Sequence, residues 1–194
     1  HYYSEKQDSE LNLKEINIEV FNKTLNFFSA NGVFSKDKLD VGSKLLIEKS
    51  IIEEENTVLD LGCGIGVVGI SLKLEYPTIN VLMTDINERA LKLSMKNVNH
   101  HKLKIEVKKS NIYEKITTKF NTILSNPPQT AGKDICFKII EDAPNYLEKN
   151  GFLQIVARHN KGGSTLKQKM LEVFGNAEEI AKSSGYRIYV SKKE

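Results

Sequence analysis

The chain has 194 residues, 40% hydrophobic and 27% charged, and its 28 basic and 25 acidic side chains leave a formal net charge of +3. No window approaches the roughly 18 consecutive apolar residues of a membrane span, and the opening His1-Tyr2-Tyr3-Ser4-Glu5 lacks the basic-then-apolar layout of a secretory signal. The composition is neither that of a disordered chain nor that of a collagen, and two cysteines, Cys63 and Cys136, make neither a disulfide framework nor a zinc set.

The expectation is therefore a cytoplasmic α/β domain of enzyme size. The basic residues are nearly all lysine, with Arg89, Arg158 and Arg187 the exceptions, and asparagine is frequent. That joint bias reads as genomic composition, so only local clusters of lysine carry an argument.

Residues 1–14 are polar and read as a lead-in. Ile16, Ile18 and Val20 alternate with polar neighbours, Asn22-Lys23 interrupts, and Leu25 and Phe27 resume the alternation, which predicts a β-hairpin. A loop over residues 31–35 follows, and Val41, Leu45, Leu46 and the stretch to Ile52 predict a short helix. From Glu55 the pattern changes to strands alternating with helices. Strands are predicted at 57–61, 80–85, 104–108, 120–125 and 151–157. Helices are predicted at 67–74, 88–98 (Ala90, Leu91, Met95 and Val98 on or near one face), 135–147 and 164–173, with Pro144 breaking the last turn of the third. Residues 177–180 and 186–190 read as a closing antiparallel pair.

This alternation implies a doubly wound, Rossmann-like, mostly parallel seven-stranded sheet with an antiparallel last strand, preceded by the hairpin. Residues 1–54 form an N-terminal extension packed on a catalytic domain of residues 55–194. Ligands of such sheets bind off the carboxyl ends of the strands near the switch point. Asp60 to Gly66, Asp85, Asn111 and Asn126 all stand at predicted strand ends.

The first motif is Asp60-Leu-Gly62-Cys-Gly64-Ile-Gly66-Val-Val-Gly69. Its glycines allow a sharp turn and close backbone approach to a ligand, and the following helix offers N-terminal amides. Asp85 comes 21 residues after Gly64, the spacing of a carboxylate that grips ribose hydroxyls. Read from Gly64 the motif fits a nicotinamide dinucleotide, and read from Asp60 it fits S-adenosylmethionine. A carboxylate at 60 suits a cationic amino-acid ligand and repels a pyrophosphate.

The second motif, Ser125-Asn126-Pro127-Pro128, closes the fourth strand of the alternating series. Prolines leave nearby carbonyls without local amide partners, and Asn126 adds an amide oxygen. Together they suit the two protons of an exocyclic amino group. They also favour the positive charge that nitrogen develops when it attacks a methyl sulfonium.

On Gly32-Val-Phe-Ser-Lys-Asp-Lys-Leu-Asp-Val-Gly-Ser43, the glycine loop from Val58 to Val67, Asp85, Ser125 to Pro128 and Phe174-Gly175, the chain resembles class I S-adenosylmethionine-dependent methyltransferases of the methyltransferase small domain group. It is most similar to the ribosomal RNA small subunit methyltransferase C family, which acts on guanine N2. The resemblance spans roughly residues 15–194. It implies S-adenosyl-L-methionine as cofactor, with Asp60, Gly62, Cys63, Gly64 and Gly66 at its methionine end, and S-adenosyl-L-homocysteine as product. It puts Asp85, Ile86 and Asn87 at the ribose, Asn111 and Ile112 at the adenine, and Phe34, Ser35 and Gly42 near the methyl donor. Asn126, with Pro127 and Pro128, grips the target amino group.

Two departures stand out. Gln129 occupies the position after the second proline where such enzymes carry a stacking aromatic, so a platform must come from elsewhere, Phe34 being the nearest. The longer family members also carry a second, degenerate methyltransferase-like domain, which points to a protein partner, a homodimer or a smaller RNA.

Of the remaining candidates, Cys63 and Cys136 read as packing residues rather than nucleophiles, and His100-His101 as a solvated helix end rather than a metal site. His159 and Lys161, before the Gly162-Gly163 turn, are candidate substrate contacts. Lysines 36, 38 and 44 and lysines 161, 167 and 169 flank the expected mouth and are assigned to RNA phosphates. The cluster at 102, 104, 108 and 109 reads as a solvated far edge. An extruded base would meet Phe34 or Gln129.

The leading function is thus RNA guanine-N2 methylation, on ribosomal or transfer RNA. The alternatives are methylation of adenine N6 or a protein glutamine amide, an NAD(P)-dependent oxidoreductase, and a non-catalytic RNA-binding protein. Neither a metal nor a membrane is expected.

Overall fold

A computed structural model describes residues 12–31, 33, 39–128 and 131–194. Strands β1 (Leu13–Val20) and β2 (Lys23–Ala30) form the expected antiparallel hairpin. Phe21 and Asn22 both take left-handed φ, 52° and 57°, the combination that matches a two-residue turn to the twist of its strands. Alternation turns Ile16, Ile18, Val20 and Phe27 inward, and they join one core with Leu46, Val58 and Leu124 from the rest of the chain.

Helix α1 (Val41–Lys49) is shorter than the hydrophobic stripe suggested. It stops at Ser50, whose backbone is extended, and Ile51 is drawn off to Gln154. The Ile51 amide donates to Oε1 and its carbonyl accepts from Nε2, both at 2.8 Å. A buried glutamine amide thereby ties the end of the helix to the sheet.

The main sheet has seven strands in the order β5-β4-β3-β6-β7-β9-β8. β3 (Thr57–Leu61), β4 (Asn80–Asp85), β5 (Glu106–Lys109), β6 (Phe120–Ser125) and β7 (Leu147–Arg158) run parallel. β9 (Tyr186–Lys192) runs against β7 and β8 (Glu178–Ser183). Helices α2 (Val67–Glu75), α3 (Glu88–His100), α4 (Lys133–Asp142) and α5 (Gly163–Phe174) supply crossovers and cover. The chain starts at β3, winds out through β4 to β5, then returns to lay β6 on the other side of β3. The switch point therefore lies between the carboxyl ends of β3 and β6. Ser125 joins those ends, its hydroxyl donating to the Leu61 carbonyl at 3.2 Å.

Several expectations shift. Strand β5 begins at Glu106 rather than 104. Helix α4 ends at Asp142, and Pro144 starts a 3-10 turn over Ala143–Tyr146, a position that needs no amide hydrogen. Met95 faces solvent, 47% exposed, because the apolar stripe of α3 runs through Ala90, Leu91, Leu93 and Val98 instead.

The reading of His100 and His101 as a solvated helix end holds for His100, the exposed last residue of α3, and is corrected for His101, which is part-buried. His101 packs on Phe27 with ring centres 5.0 Å apart and its Nε2 meets the Asn26 carbonyl at 2.8 Å, while His100 sits edge-on to Phe28. Together with buried Asn97, which bridges Phe28 and the Ile65 carbonyl, they fasten the hairpin to α3 and the glycine loop.

Candidate active site

Asp60, the fourth residue of the central strand, is 3% exposed. Its Oδ2 accepts from the Gly69 amide, in the first turn of α2, at 2.9 Å. Gly69 must be glycine here: a Cβ would lie 2.7 Å from Met83 Sδ on β4. The anion at the N-terminus of α2 is thus the protein's own carboxylate, in the position where a dinucleotide site keeps its pyrophosphate. The third glycine of the motif serves packing, and the nicotinamide reading loses its seat.

The loop between β3 and α2 is held open by backbone geometry. Gly62, Gly64 and Gly66 have φ of 75°, 57° and 91°, and the Gly62 and Cys63 amides both donate to the Thr84 carbonyl. Asp85, at the end of β4, accepts from Gly64 N–H through Oδ2 and from Asn87 N–H through Oδ1, each at 2.9 Å. The Asp85 carboxylate thus ends its strand at the cleft, which it lines. Cys63 is buried, within 3.5 Å of Ser94 Oγ, and its thiol is pushed well above its ordinary pKa by burial, which makes it inert.

A cleft of about 180 Å³ is lined by Asp60, Gly62, Cys63, Gly64, Asp85, Ile86, Ile112 and Asn126, together with Ser43, Ser110 and both prolines. Four expected cofactor residues do not line it, the first being Gly66, which stands at the N-cap of α2. The Asn87 side chain caps α3 by accepting from Ala90 N–H at 3.0 Å. Asn111 is exposed and borders a separate hollow beside Tyr113 and Tyr146. Its neighbour Ser110 takes the cleft position, with its hydroxyl donating to the Ile112 carbonyl. Gly42 lets α1 press on Tyr186, where a Cβ would come within 2.8 Å of the ring.

The arrangement at Asn126 was not foreseen. Asp40 caps α1, Oδ1 accepting from Ser43 N–H at 2.9 Å and Oδ2 from Ser43 Oγ–H at 2.6 Å. Asn126 Nδ2 donates to Ser43 Oγ at 3.0 Å and to Asp40 Oδ1 at 3.3 Å. An ionised carboxylate only accepts, and the serine hydroxyl has already given its one proton to Asp40. The group that meets both must therefore be the amide NH2, so Asn126 Oδ1 is turned away from them as an acceptor. Pro128 O accepts from Ala131 N–H, whereas Pro127 O has no donor among the described residues.

His159 lines neither this cleft nor its neighbour beyond Pro127. Its Nδ1 meets Tyr189 Oη at 2.7 Å, which anchors the loop before α5. Phe34, Ser35, Lys36, Lys38 and Gln129, expected near the methyl donor and substrate, fall outside the described residues.

Burial raises Asp60 to a pKa of about 7 against the opposing Gly69 hydrogen bond, with the charge of Asp85 adding to the rise. The folded pKa thus lies above the unfolded 3.8, so the folded state holds a proton that the unfolded one has lost. Stability of the free protein should decline as pH rises between those values. A cationic ligand at Asp60 prefers the ionised form, so its affinity should climb with pH by up to about tenfold per unit below about 7, then level off. Calorimetry with S-adenosylhomocysteine from about pH 5 to 7.5 checks this. A flat profile would mean that no cation meets Asp60, whereas Asp60→Asn should bind weakly and without the slope.

The family model described as "Methyltransferase small domain" matches residues 24–190. The chain is 35% identical to "Uncharacterized protein YbxB" of Bacillus subtilis (strain 168), over 100% of this chain and 98% of that protein. It is 36% identical to "Ribosomal RNA small subunit methyltransferase C" of Actinobacillus pleuropneumoniae serotype 7 (strain AP76), over 87% of this chain. It spans 52% of that relative, about half its length. Among solved structures it is similar to the T. thermophilus 16S rRNA N2 methyltransferase RsmC in complex with AdoMet and guanosine. There the TM-score is 0.81 at 21% identity, covering 97% of this chain and 52% of the other, a likeness of fold.

Proposed function

The chain belongs to the methyltransferase small domain family, and on that premise we propose that it moves a methyl group from S-adenosyl-L-methionine to an exocyclic amino nitrogen of RNA, with guanine N2 the favoured acceptor. The observation that carries this reading is Asn126, which lines the same cleft as Asp60 and Asp85 and whose NH2 is held by Asp40 and Ser43, leaving the oxygen as the acceptor end of the amide. The RNA and the guanine rest on the names of the relatives.

The donor set fits the cofactor. Asp60 offers a buried carboxylate for the ammonium, and Asp85 offers a second at the end of the neighbouring strand for ribose hydroxyls. Gly62, where an added Cβ would meet nothing within 4 Å, leaves room for close approach to the backbone. Bound there, the cofactor supplies an electrophilic methyl on a sulfonium. Asn126 Oδ1 and Pro127 O accept the two protons of the amino group and so fix its nitrogen. Their partial negative charge stabilises the positive charge that the nitrogen acquires as it takes the methyl. Neither residue needs to act as a base, since the extra proton leaves to solvent after transfer. Asp40 and Ser43 hold the amide at the angle it needs before substrate arrives.

The test is incubation of the protein with methyl-labelled cofactor and ribosomal or transfer RNA, then digestion to nucleosides. Label in N2-methylguanosine is expected. Label in N6-methyladenosine would keep the chemistry and change the base, and label on protein alone, or nowhere, would refute the reading.

A further inference from the structure

Pro127 has a second cavity on its other side. It holds about 240 Å³, with an apolar floor of Pro127, Ala157 and Leu166 and a rim of Lys133, Arg158 and Lys161. Two helices begin at this rim. α4, of 10 residues, starts after Gly132 and α5, of 12 residues, after Gly162. Neither glycine offers a capping side chain, both have positive φ, and a Cβ at either would meet nothing within 4 Å. Among the described residues no side chain caps the first-turn amides of either helix, and both positive ends stand at this rim. Thr165, in the first turn of α5, adds a hydroxyl.

The neighbouring charges set this rim apart. Lys167 pairs with Glu179 at 3.5 Å, Lys169 with Glu141 at 2.5 Å and Lys138 with Asp142 at 3.2 Å. Lys133, Arg158 and Lys161 have no carboxylate partner among the described residues. Lys133 lies over the Phe137 ring and Arg158 over Tyr186, so both remain available as cations. Asp134, in the first turn of α4, is exposed and does not line the cavity. The sequence had grouped Lys161 with Lys167 and Lys169; the structure pairs Lys169 with Glu141, lets Lys167 share Glu179 with Arg187, and brings Lys133 and Arg158 to Lys161 instead.

We propose that this cavity seats a backbone phosphate of the RNA next to the nucleotide whose base reaches Asn126. The inference rests on the RNA reading above and adds to it the site that grips the strand. Three unpaired cations and two helix N-termini around an apolar floor suit a phosphodiester with its sugar beneath. Sharing Pro127 with the catalytic cleft puts the gripped phosphate beside the target, so that the held backbone and the extruded base come from one stretch of chain.

The test measures RNA binding against salt concentration for Lys133→Gln, Lys161→Gln and Arg158→Gln, with Arg158→Lys preserving charge should the glutamine variant not fold. Cofactor affinity and methyl transfer are measured alongside. Each charge removal should weaken RNA binding about three- to tenfold and flatten the logarithmic salt slope by about one. It should raise KM for RNA while leaving kcat and the S-adenosylhomocysteine affinity unchanged. Lys138→Gln, at a lysine paired with Asp142 and outside the cavity, should do neither.

If the triple variant binds RNA with wild-type affinity and slope yet still methylates it, the phosphate seat is overturned and the methyltransferase reading stands. If wild type methylates no RNA, the reading itself falls, and with it this proposal. Saturation by millimolar inorganic phosphate without any change in the RNA salt slope would assign the cavity to a free anion and overturn the proposal too.

Discussion

Asn126→Ala should lower kcat for methyl transfer by about a hundred- to a thousandfold, the range seen when one preorganised polar contact to a developing charge is removed. Cofactor affinity should stay within about threefold, because the proposed function gives that contact to Asp60 and Asp85 and neither bonds to Asn126. Asp40→Asn is the finer probe. It keeps the size and the helix cap but gives the group facing Asn126 a donor of its own. The amide of Asn126 is then no longer forced to present NH2 to Asp40 and Ser43, and its oxygen is lost from the cleft for part of the time. A fall in kcat of about tenfold is expected, with the melting temperature nearly unchanged and the KM for RNA unmoved. Single-turnover transfer measures both variants. Wild-type rates in Asn126→Ala would remove the residue from the chemistry, and wild-type rates in Asp40→Asn would mean that the amide is held by something else.

Asp85→Ala should have the second large effect, on binding rather than on the chemical step. The carboxylate satisfies two buried amides, Gly64 N–H and Asn87 N–H. Each amide left without a partner costs about 1–3 kcal/mol, so unfolding in urea should show the free protein destabilised by about 2–6 kcal/mol. The glycine loop also loses the anchor that holds it against β4. With ribose acceptors gone as well, S-adenosylhomocysteine should bind about a hundredfold more weakly or worse, which is about 2.7 kcal/mol. Asp85→Asn keeps one acceptor and should fall between. An Asp85→Ala protein that binds the cofactor normally would show that the carboxylate is purely structural.

Most of the architecture was readable because it follows from local pattern. Alternation with Asn22 at the turn marks the hairpin, and apolar runs ending in polar residues mark β3, β4 and β6. The spacing from Gly64 to Asp85 is one βαβ unit, so the two residues had to meet at neighbouring strand ends, and the Gly64–Asp85 hydrogen bond is that meeting. What escaped was set by contacts between distant segments. Asp40 and Ser43 reach Asn126 across more than 80 residues of chain, and no periodicity connects them.

Other misses have the same origin. Which of Ser110 and Asn111 faces the cleft depends on how the loop leaves the edge strand. Asn87 matched the position of a ribose contact, but a helix start needed its side chain more. Lysines are alike in sequence, and among the described residues only the positions of Glu141, Asp142 and Glu179 separate the paired ones from Lys133 and Lys161. His101 looked solvated because the hairpin that packs on it lies about 75 residues earlier, the separation of His101 from Asn26.

The central claim is that one cleft presents a methyl donor to an amino group held by Asn126. A crystal structure of the protein with S-adenosylhomocysteine tests it most directly. The account predicts the ribose hydroxyls on Asp85, the amino-acid end at Asp60 and the sulfur facing Asn126 Oδ1 across a gap that one amino group would fill. Ligand bound with its sulfur turned away from Asn126, or bound outside the cleft between β3 and β6, would contradict it.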